Sequence, residues 1–297
     1  MSQLRTRFFS EAPHHDPVRV GRISYMNVAP VYYGLDNGRR PAWMETVSGP
    51  PSFLNRSLAD GELDISPVSS AAYARHPEDW VLLPGLSISC FGEVMSVLLV
   101  SRHPFENLDG KTVLLTEESA TAAALLRLLF ARKGIRPRFR TGKVRRPREF
   151  NGDGDAALVI GDAALREDWR GHFPHVLDLG QLWWDLTGRP FVFAVWAVRR
   201  TFAEAHPDRV AAVSAAFLRS KAAGLANIEN IVPAASQRLR LDDDACRRYY
   251  RRLHYDLTSP EIKGLEVFFD GLHRRRLIGK PVAPRFFQEW ATAMNAA

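Results

Sequence analysis

Two long apolar segments place the strongest constraint on how this chain can fold. Val94–Val100 and Phe191–Val198 each read as a nearly continuous hydrophobic strand, which is typical of a strand buried on both faces of a sheet. Residues 101–190 lie between them and carry a strand–helix pattern of their own. This order predicts a two-lobed α/β protein in which the chain crosses to the second lobe and returns. In such a protein the ligand binds in the cleft between the lobes.

The same segments give the predicted boundaries of the lobes. Lobe 1 is expected to comprise residues 18–100 and 197–297, and lobe 2 residues 101–196. A chain of 297 residues is long enough to bury the cores of both. Residues 1–17 contain two arginines but lack the continuous apolar stretch of a secretory signal, so we expect a disordered lead-in.

The sequence argues against a membrane-spanning protein and against a cysteine-based metal site. The longest apolar run, Phe191–Val198, is far shorter than the roughly 20 residues needed to span a membrane. The two cysteines, Cys90 and Cys246, are too few and too far apart for a metal motif. They fit a reduced compartment, so a cytoplasmic location is predicted.

The net charge of +7 raises the question of nucleic-acid binding. Nine basic residues and no acidic one lie between Arg132 and Arg148, so this one segment exceeds the whole net charge. Glycines and prolines interrupt it, and it contains no recognisable nucleic-acid motif. A solvated edge or loop is the favoured interpretation, and attraction of an anion is the alternative. No nucleic-acid partner is predicted.

A candidate ligand site begins at the first strand. Val18–Val20 reads as a short strand with apolar Val18 and Val20, and the polar loop after it contains Ser24, Tyr25 and Asn27 before it stops at Pro30. Open α/β sheets bind ligands outside the carboxyl ends of their strands, where this loop is expected to lie. Asn27 can donate and accept hydrogen bonds while it stays neutral. The alternative is an ordinary strand–helix joint in which Asn27 caps the helix.

Two hydroxyl-rich loops precede predicted helices. Ser69 and Ser70 follow a short strand, and Ser119, Ala120 and Thr121 open a helix rich in alanine and leucine. Hydroxyls beside the unpaired N–H groups of a helix N-terminus suit a carboxylate. The second loop lacks glycine and a P-loop lysine, which argues against a phosphate. Plain helix capping is the alternative at both loops.

Two more polar residues adjoin apolar strands. Ser96 lies inside the strand predicted over Val94–Val100, where its hydroxyl either faces a cavity or bonds to a backbone carbonyl. Asp162 follows a compact apolar strand, and its loop is expected to face the same cleft. From Phe202 onward the chain is predicted to be a mostly helical scaffold, whose last helix spans Pro284–Met294.

Five segments, taken in order, resemble a known family. They are ISYMNVAPVYYGL, GELDISPVSSAAYAR, LDGKTVLLTEESATAAALL, LVIGDAALR and TGRPFVFAVWAVRR. The set is similar to the chorismate dehydratase family of the futalosine route to menaquinone, from about Val18 to about Asp270. The resemblance implies a type 2 periplasmic-binding-protein-like fold with its ligand cleft between two lobes. It also implies a lyase that removes water from chorismate to give 3-(1-carboxyvinyloxy)benzoate, with no metal and no organic cofactor.

The resemblance assigns roles to individual residues. The family's catalytic asparagine matches Asn27 and its catalytic serine matches Ser96. Gly92-Glu93 precedes that serine here, whereas the family usually carries Gly-Pro. The positions expected to bind the substrate or line the cleft match Ser24, Tyr25, Ser69, Ser70, Ser119, Ala120, Thr121 and Asp162.

Three alternatives stay open at this point. The related 1,4-dihydroxy-6-naphthoate synthase shares the fold, but its opening motif differs and it uses a histidine base that these motifs lack. A non-catalytic solute-binding protein is not expected, because no export signal is read. A ligand-sensing domain of a transcription regulator is not expected either, because no helix-turn-helix is read before Val18. The predicted partner is a small-molecule substrate, with neither nucleic acid nor membrane, and the oligomeric state is left open.

Overall fold

The computed structural model describes residues 16–142, 144–150, 152 and 154–287, and the strands among them form two five-stranded sheets. The first sheet contains β1 (Val18–Ile23), β2 (Met44–Gly49), β3 (Ile65–Ser69), β4 (Trp80–Cys90) and β10 (Phe191–Arg199). The second contains β5 (Val97–Ser101), β6 (Thr112–Leu115), β7 (Arg138–Thr141), β8 (Ala156–Ile160) and β9 (His175–Asp178). Their orders are β2-β1-β3-β10-β4 and β7-β6-β8-β5-β9.

The helices pack around these sheets, and those after β10 form a continuous series. They are α1 (Ala29–Gly34), α2 (Pro51–Ala59), α3 (Ser70–Tyr73), α4 (Ala120–Arg132), α5 (Gly161–Arg166), α6 (Leu179–Thr187), α7 (Arg200–Ala205), α8 (Pro207–Ala226), α9 (Ile228–Leu239), α10 (Asp243–Arg252) and α11 (Ser259–Arg274). In the part of the chain that the structure describes, none of them is long and apolar enough to cross a membrane. The helix predicted over Pro284–Met294 falls mostly outside the described residues, as do residues 1–15 of the predicted lead-in.

Each sheet combines parallel and antiparallel pairs. In the first, β1 runs parallel to β2 and β3, whereas β10 enters antiparallel between β3 and β4. In the second, β6 runs parallel to β7 and β8, and β5 pairs antiparallel with β8 and β9. The strand that follows each crossing of the chain, β5 or β10, therefore lies second from one edge of its sheet.

The observed strand pairing places the lobe boundaries at different residues from those predicted. The predicted strand Val94–Val100 was assigned to lobe 1, yet Val97–Ser101 pairs within the second sheet. Most of Phe191–Arg199 was assigned to lobe 2, yet it pairs within the first sheet. The chain thus crosses within residues 91–96 and returns within residues 188–190. Apolar character identifies a buried strand but does not say which sheet it joins.

Ser96 precedes its strand instead of lying inside it. Met95 has a φ of 64°, in the left-handed region, so the extended backbone starts after Ser96. The hydroxyl is therefore presented by the crossing segment between the lobes and not by the face of a sheet.

One apolar core joins the two lobes. The same cluster of buried side chains contains Val20 and Val195 of the first sheet and Leu99 and Leu158 of the second. Leu125 of α4 belongs to it as well. A smaller cluster lies on the other face of the second sheet and includes Val100, Val159, Trp169 and Phe173. The facing sides of the lobes are therefore packed together around the ligand cleft.

A buried carboxylate connects three strands of the first sheet by hydrogen bonds. Asp64 precedes β3 and is 4% exposed. It accepts hydrogen bonds from the Arg19 backbone N–H at 2.9 Å, from Arg19 Nη2 at 2.8 Å and from Arg199 Nη2 at 3.0 Å. Burial alone would raise the pKa of this carboxyl, but the hydrogen bonds from both arginines outweigh it and lower the pKa.

Asp64→Asn should therefore lower the free energy of unfolding by about 2 kcal/mol at pH 7, because it removes the charge that both arginines bind. A carboxyl with a lowered folded pKa stabilises the protein above its unfolded pKa, and this contribution is lost as the pH falls. The difference in free energy of unfolding between variant and parent should thus become smaller below about pH 4. Urea unfolding checks both effects, with the exposed Asp60→Asn as control. Equal stability at pH 7 would contradict the assignment.

Candidate active site

A cavity lies between the lobes, with about 560 Å³ of space not occupied by atoms, part of which is open to solvent. Its polar lining is neutral and consists of Tyr25, Asn27, Ser69, Ser96 and Ser119. Most of the remaining lining is apolar and includes Ile88, Val97, Ile160 and Phe193. Among the described residues that line it, none is an aspartate, glutamate, histidine, lysine or arginine. The site can bind a ligand by hydrogen bonds and by shape. The described lining does not show the groups expected for acyl transfer, phosphoryl transfer or metal binding.

Asn27 lies in a helical turn that two side chains hold in place. The Met26 backbone N–H donates to Asp162 Oδ1 at 3.3 Å, and the Tyr250 hydroxyl donates to the Met26 carbonyl at 3.1 Å. Asn27 Oδ1 is buried and has no hydrogen-bond partner among the described residues. An unpaired buried amide oxygen costs about 1–3 kcal/mol, and a ligand donor would remove that cost.

Ser96 is 5% exposed and is fixed through its backbone neighbours. The buried Asp178 carboxylate accepts the Val94 N–H at 3.1 Å and the Met95 N–H at 2.6 Å. The same carboxylate accepts two N–H groups that open α6, at 2.9 and 3.1 Å. Burial raises the pKa of Asp178, and these donors offset part of that effect. The crossing segment is therefore held tightly just ahead of Ser96.

Gly161 brings the two lobes together beside Ser96. Its N–H donates to the Ser96 carbonyl at 2.8 Å, and its φ of 63° is one that glycine adopts without strain. A Cβ at this position would stand 3.2 Å from the Tyr25 ring. The glycine thus permits the close approach that seals this wall of the cavity.

Ser69 and Ser119 cap helices and line the cavity as well. The Ser69 hydroxyl accepts the Ala72 N–H at 3.2 Å at the start of α3, and the Ser119 hydroxyl accepts the Ala122 N–H at 3.2 Å at the start of α4. Capping and ligand binding are therefore compatible here. The positive end of the α4 dipole lies beside Ser119, which suits an anionic group.

Five of the predicted substrate-binding residues are not part of the lining of this cavity, and three of the five are Ser70, Ala120 and Thr121. The Ser70 hydroxyl donates to the Val192 carbonyl at 2.6 Å, and the Thr121 hydroxyl accepts the Ala71 N–H at 2.9 Å. Ala120 packs against the apolar core. Successive side chains of a helix turn by about 100°, so the residues after a capping serine point away from what the cap faces. The structure thus gives Ser70 and Thr121 roles in holding the backbone.

Ser24 and Asp162 border an outer chamber that is open to solvent and also contacts Tyr25 and Ile160. Two sets of contacts bridge the lobes there. The Tyr25 hydroxyl donates to Glu118 at 3.1 Å, and Arg145 also donates to Glu118.

On the other side of the chamber, Arg238 of α9 donates to Asp162 Oδ2 at 3.3 Å and to the Ser24 carbonyl. Asp162 therefore joins a helix of the C-terminal series to the second lobe. We name these two sets of contacts the Tyr25–Glu118 bridge and the Arg238–Asp162 bridge.

Comparison with known proteins identifies the family. A family model for menaquinone biosynthesis matches residues 18–274. The chain belongs to this menaquinone biosynthesis family. The chorismate dehydratase of Thermus thermophilus is 33% identical over 290 residues, which cover 92% of this chain and 99% of that protein. The 1,4-dihydroxy-6-naphthoate synthase of the same organism is 29% identical over 216 residues, covering 72% and 76%.

A solved structure supports the fold that the family resemblance implied. The periplasmic aliphatic sulphonate binding protein of Escherichia coli matches with a TM-score of 0.64 at 16% identity. The match covers 93% of this chain and 98% of that one. Together with the two sheets and the cleft between them, this likeness confirms the predicted periplasmic-binding-protein-like fold.

Several residues that shape this family member's site were missed by sequence reasoning. Asp178 carries a readable signal, because an aspartate directly before an apolar helical segment is a typical N-cap. The sequence around Arg238 and Tyr250 gives no such indication, and the helices after Phe202 were interpreted as scaffold only. Their side chains reach the site from a distant part of the sequence, and local patterns do not reveal such contacts.

Thr121→Val tests the structural role given to Thr121. The valine cannot accept the Ala71 N–H, which then stays buried without a partner, so the free energy of unfolding should fall by about 1–3 kcal/mol. Thermal or urea unfolding measures this. The exposed Thr141→Val should change it by less than about 0.5 kcal/mol. If the two variants are equally stable, the contact contributes nothing.

Proposed function

We propose that this chain is a chorismate dehydratase that removes water from chorismate to give 3-(1-carboxyvinyloxy)benzoate. One observation carries the proposal: Asn27 and Ser96 line one neutral cavity between the lobes. The identity to a chorismate dehydratase over nearly the whole chain supports it. Within the same proposal the enzyme acts in the cytoplasm on a small molecule, without a nucleic-acid or membrane partner.

The chemistry of chorismate suits a site with this lining. Chorismate is a dianion with a ring hydroxyl, and loss of water makes its ring aromatic, so the stability of the product drives the reaction. The protein has to orient the substrate, assist one proton removal and support the departure of hydroxide. Positioned neutral donors meet these needs in a cavity that excludes most water.

We assign the reacting ring hydroxyl to Asn27 and Ser96. The Asn27 amide and the Ser96 hydroxyl hydrogen-bond around the departing group or the charge that develops there. The substrate's own side-chain carboxylate takes the ring proton, and the C–H electron pair becomes the new ring double bond. The C–O bond breaks, and the hydroxide takes up that proton to leave as water.

The two carboxylates of the substrate have separate binding positions in this proposal. Ser69 and Ser119 lie at helix N-termini inside the cavity, where hydroxyls and N–H groups favour a carboxylate. Tyr25, which also lines the cavity, contributes a wall against which the ring packs. Ser24 and Asp162, in the outer chamber, shape the access route.

Incubation of the purified protein with chorismate should yield the aromatic enol ether, detected by mass as loss of one water. Asn27→Ala and Ser96→Ala should each lower kcat on the order of 10²–10³-fold, because each removes one donor at the reacting centre. Asn107→Ala, at an exposed turn, and Ser57→Ala, outside the cavity, serve as matched controls. Near-parent rates for both site variants would refute the assignment.

The same assay separates the alternatives. A 1,4-dihydroxy-6-naphthoate synthase would leave chorismate unchanged and convert that enzyme's own substrate. A solute-binding protein would bind chorismate and return it intact. The described lining of the cavity contains no histidine, which favours the dehydratase over a reaction that depends on a histidine base.

A further inference from the structure

The turn that carries Asn27 has few hydrogen bonds of its own. It is a 3₁₀ turn of three residues, Met26–Val28, and the Ala29 N–H that follows donates to the Met26 carbonyl. Tyr25, just before the turn, makes no capping hydrogen bond with its side chain. Hydrogen bonds in short 3₁₀ turns have poor geometry, so contacts from elsewhere in the fold decide how firmly this turn is held.

Helices α9 and α10 supply such contacts to two carbonyls of the loop. Arg238 of α9 donates to the Ser24 carbonyl, and the Tyr250 hydroxyl of α10 donates to the Met26 carbonyl at 3.1 Å. The Arg238 side chain is half exposed, so water and salt weaken its contact, whereas Tyr250 is only 4% exposed. A hydrogen bond away from water is electrostatically stronger. The phenol of Tyr250 therefore makes the better protected of the two contacts.

We propose that Tyr250 is a positioning residue of the dehydration and acts through Asn27, an inference that rests on the proposed function. The carbonyl that accepts the phenol belongs to the planar peptide group that joins Met26 to Asn27. The hydrogen bond limits rotation of that plane, and the plane leads directly to the Cα atom that bears the Asn27 amide. Tyr250 is not among the described residues that line the cavity, so its effect on the reaction passes through Asn27.

The surroundings of Tyr250 keep its phenol in place as a donor. Its ring packs against Tyr249 with 5.7 Å between the centroids. Arg247 of the same helix forms an ion pair with Glu229 of α9 at 2.8 Å, which joins the two helices that contact the loop. Burial is the main cause that raises the pKa of Tyr250, so the phenol stays protonated and keeps the proton that it donates.

Another buried tyrosine supplies a matched control. Tyr255 is 2% exposed, and its hydroxyl has no hydrogen-bond partner among the described residues. Like Tyr250, it is absent from the described lining of the cavity. Removing its hydroxyl tests whether the loss of a buried phenol hydroxyl affects turnover by itself.

The experiment compares kcat and KM for chorismate in the parent, Tyr250→Phe, Asn27→Ala, the double variant and Tyr255→Phe. Tyr250→Phe should lower kcat on the order of 10-fold, because a small displacement of a catalytic group is costly. KM should stay within about twofold, since the groups proposed to bind the carboxylates are untouched. The double variant should be as slow as Asn27→Ala and no slower, since Tyr250 acts through that residue. Tyr255→Phe should keep the parent kcat.

Two outcomes would overturn the inference while the parent dehydrates chorismate. One is a parent-like kcat in Tyr250→Phe. The other is an equal fold-loss when that substitution is added to Asn27→Ala, which indicates a general structural effect. If Tyr250→Phe does not fold, Tyr250→Met fills the same space flexibly and gives the same comparison. A parent that leaves chorismate unchanged overturns the proposed function instead.

Discussion

The Asp178 carboxylate fixes the point at which the chain leaves the first sheet. A buried carboxylate is stable only when hydrogen-bond donors surround it, and here four backbone N–H groups do so, two from the crossing segment and two from the start of α6. Met95 is held in a left-handed conformation as a result. The segment can therefore adopt few other shapes, and Ser96 emerges from it at the wall of the cavity.

The site separates neutral from charged groups by depth. Hydroxyls and one amide line the inner cavity, whereas Glu118, Arg145, Asp162 and Arg238 lie in or beside the outer chamber and pair with one another. A fixed cation deep in the cavity would bind substrate and product alike, since both carry two carboxylates. In the proposed reaction, neutral donors aimed at the leaving hydroxyl distinguish the reacting state, which is the requirement for catalysis.

Sequence reasoning succeeded where local chemistry decides structure. The apolar segments and the loops after strands predicted two lobes and brought Asn27, Ser96, Ser69 and Ser119 to one cavity. It failed where tertiary packing decides. The sheet that Val97–Ser101 joins depends on its pairing partners. Whether Ser69 or Ser70 faces the cavity depends on the rotation between two successive residues at the start of a helix.

The Tyr25–Glu118 and Arg238–Asp162 bridges have a kinetic consequence. They join the lobes beside the outer chamber, so the lobes cannot separate at this point while both are intact. A cycle that separates the lobes there includes breaking and remaking these contacts, a motion distinct from the bond-breaking step. Because Arg238 is half exposed, dissolved ions screen its attraction to Asp162. The strength of the Arg238–Asp162 bridge is thereby linked to ionic strength.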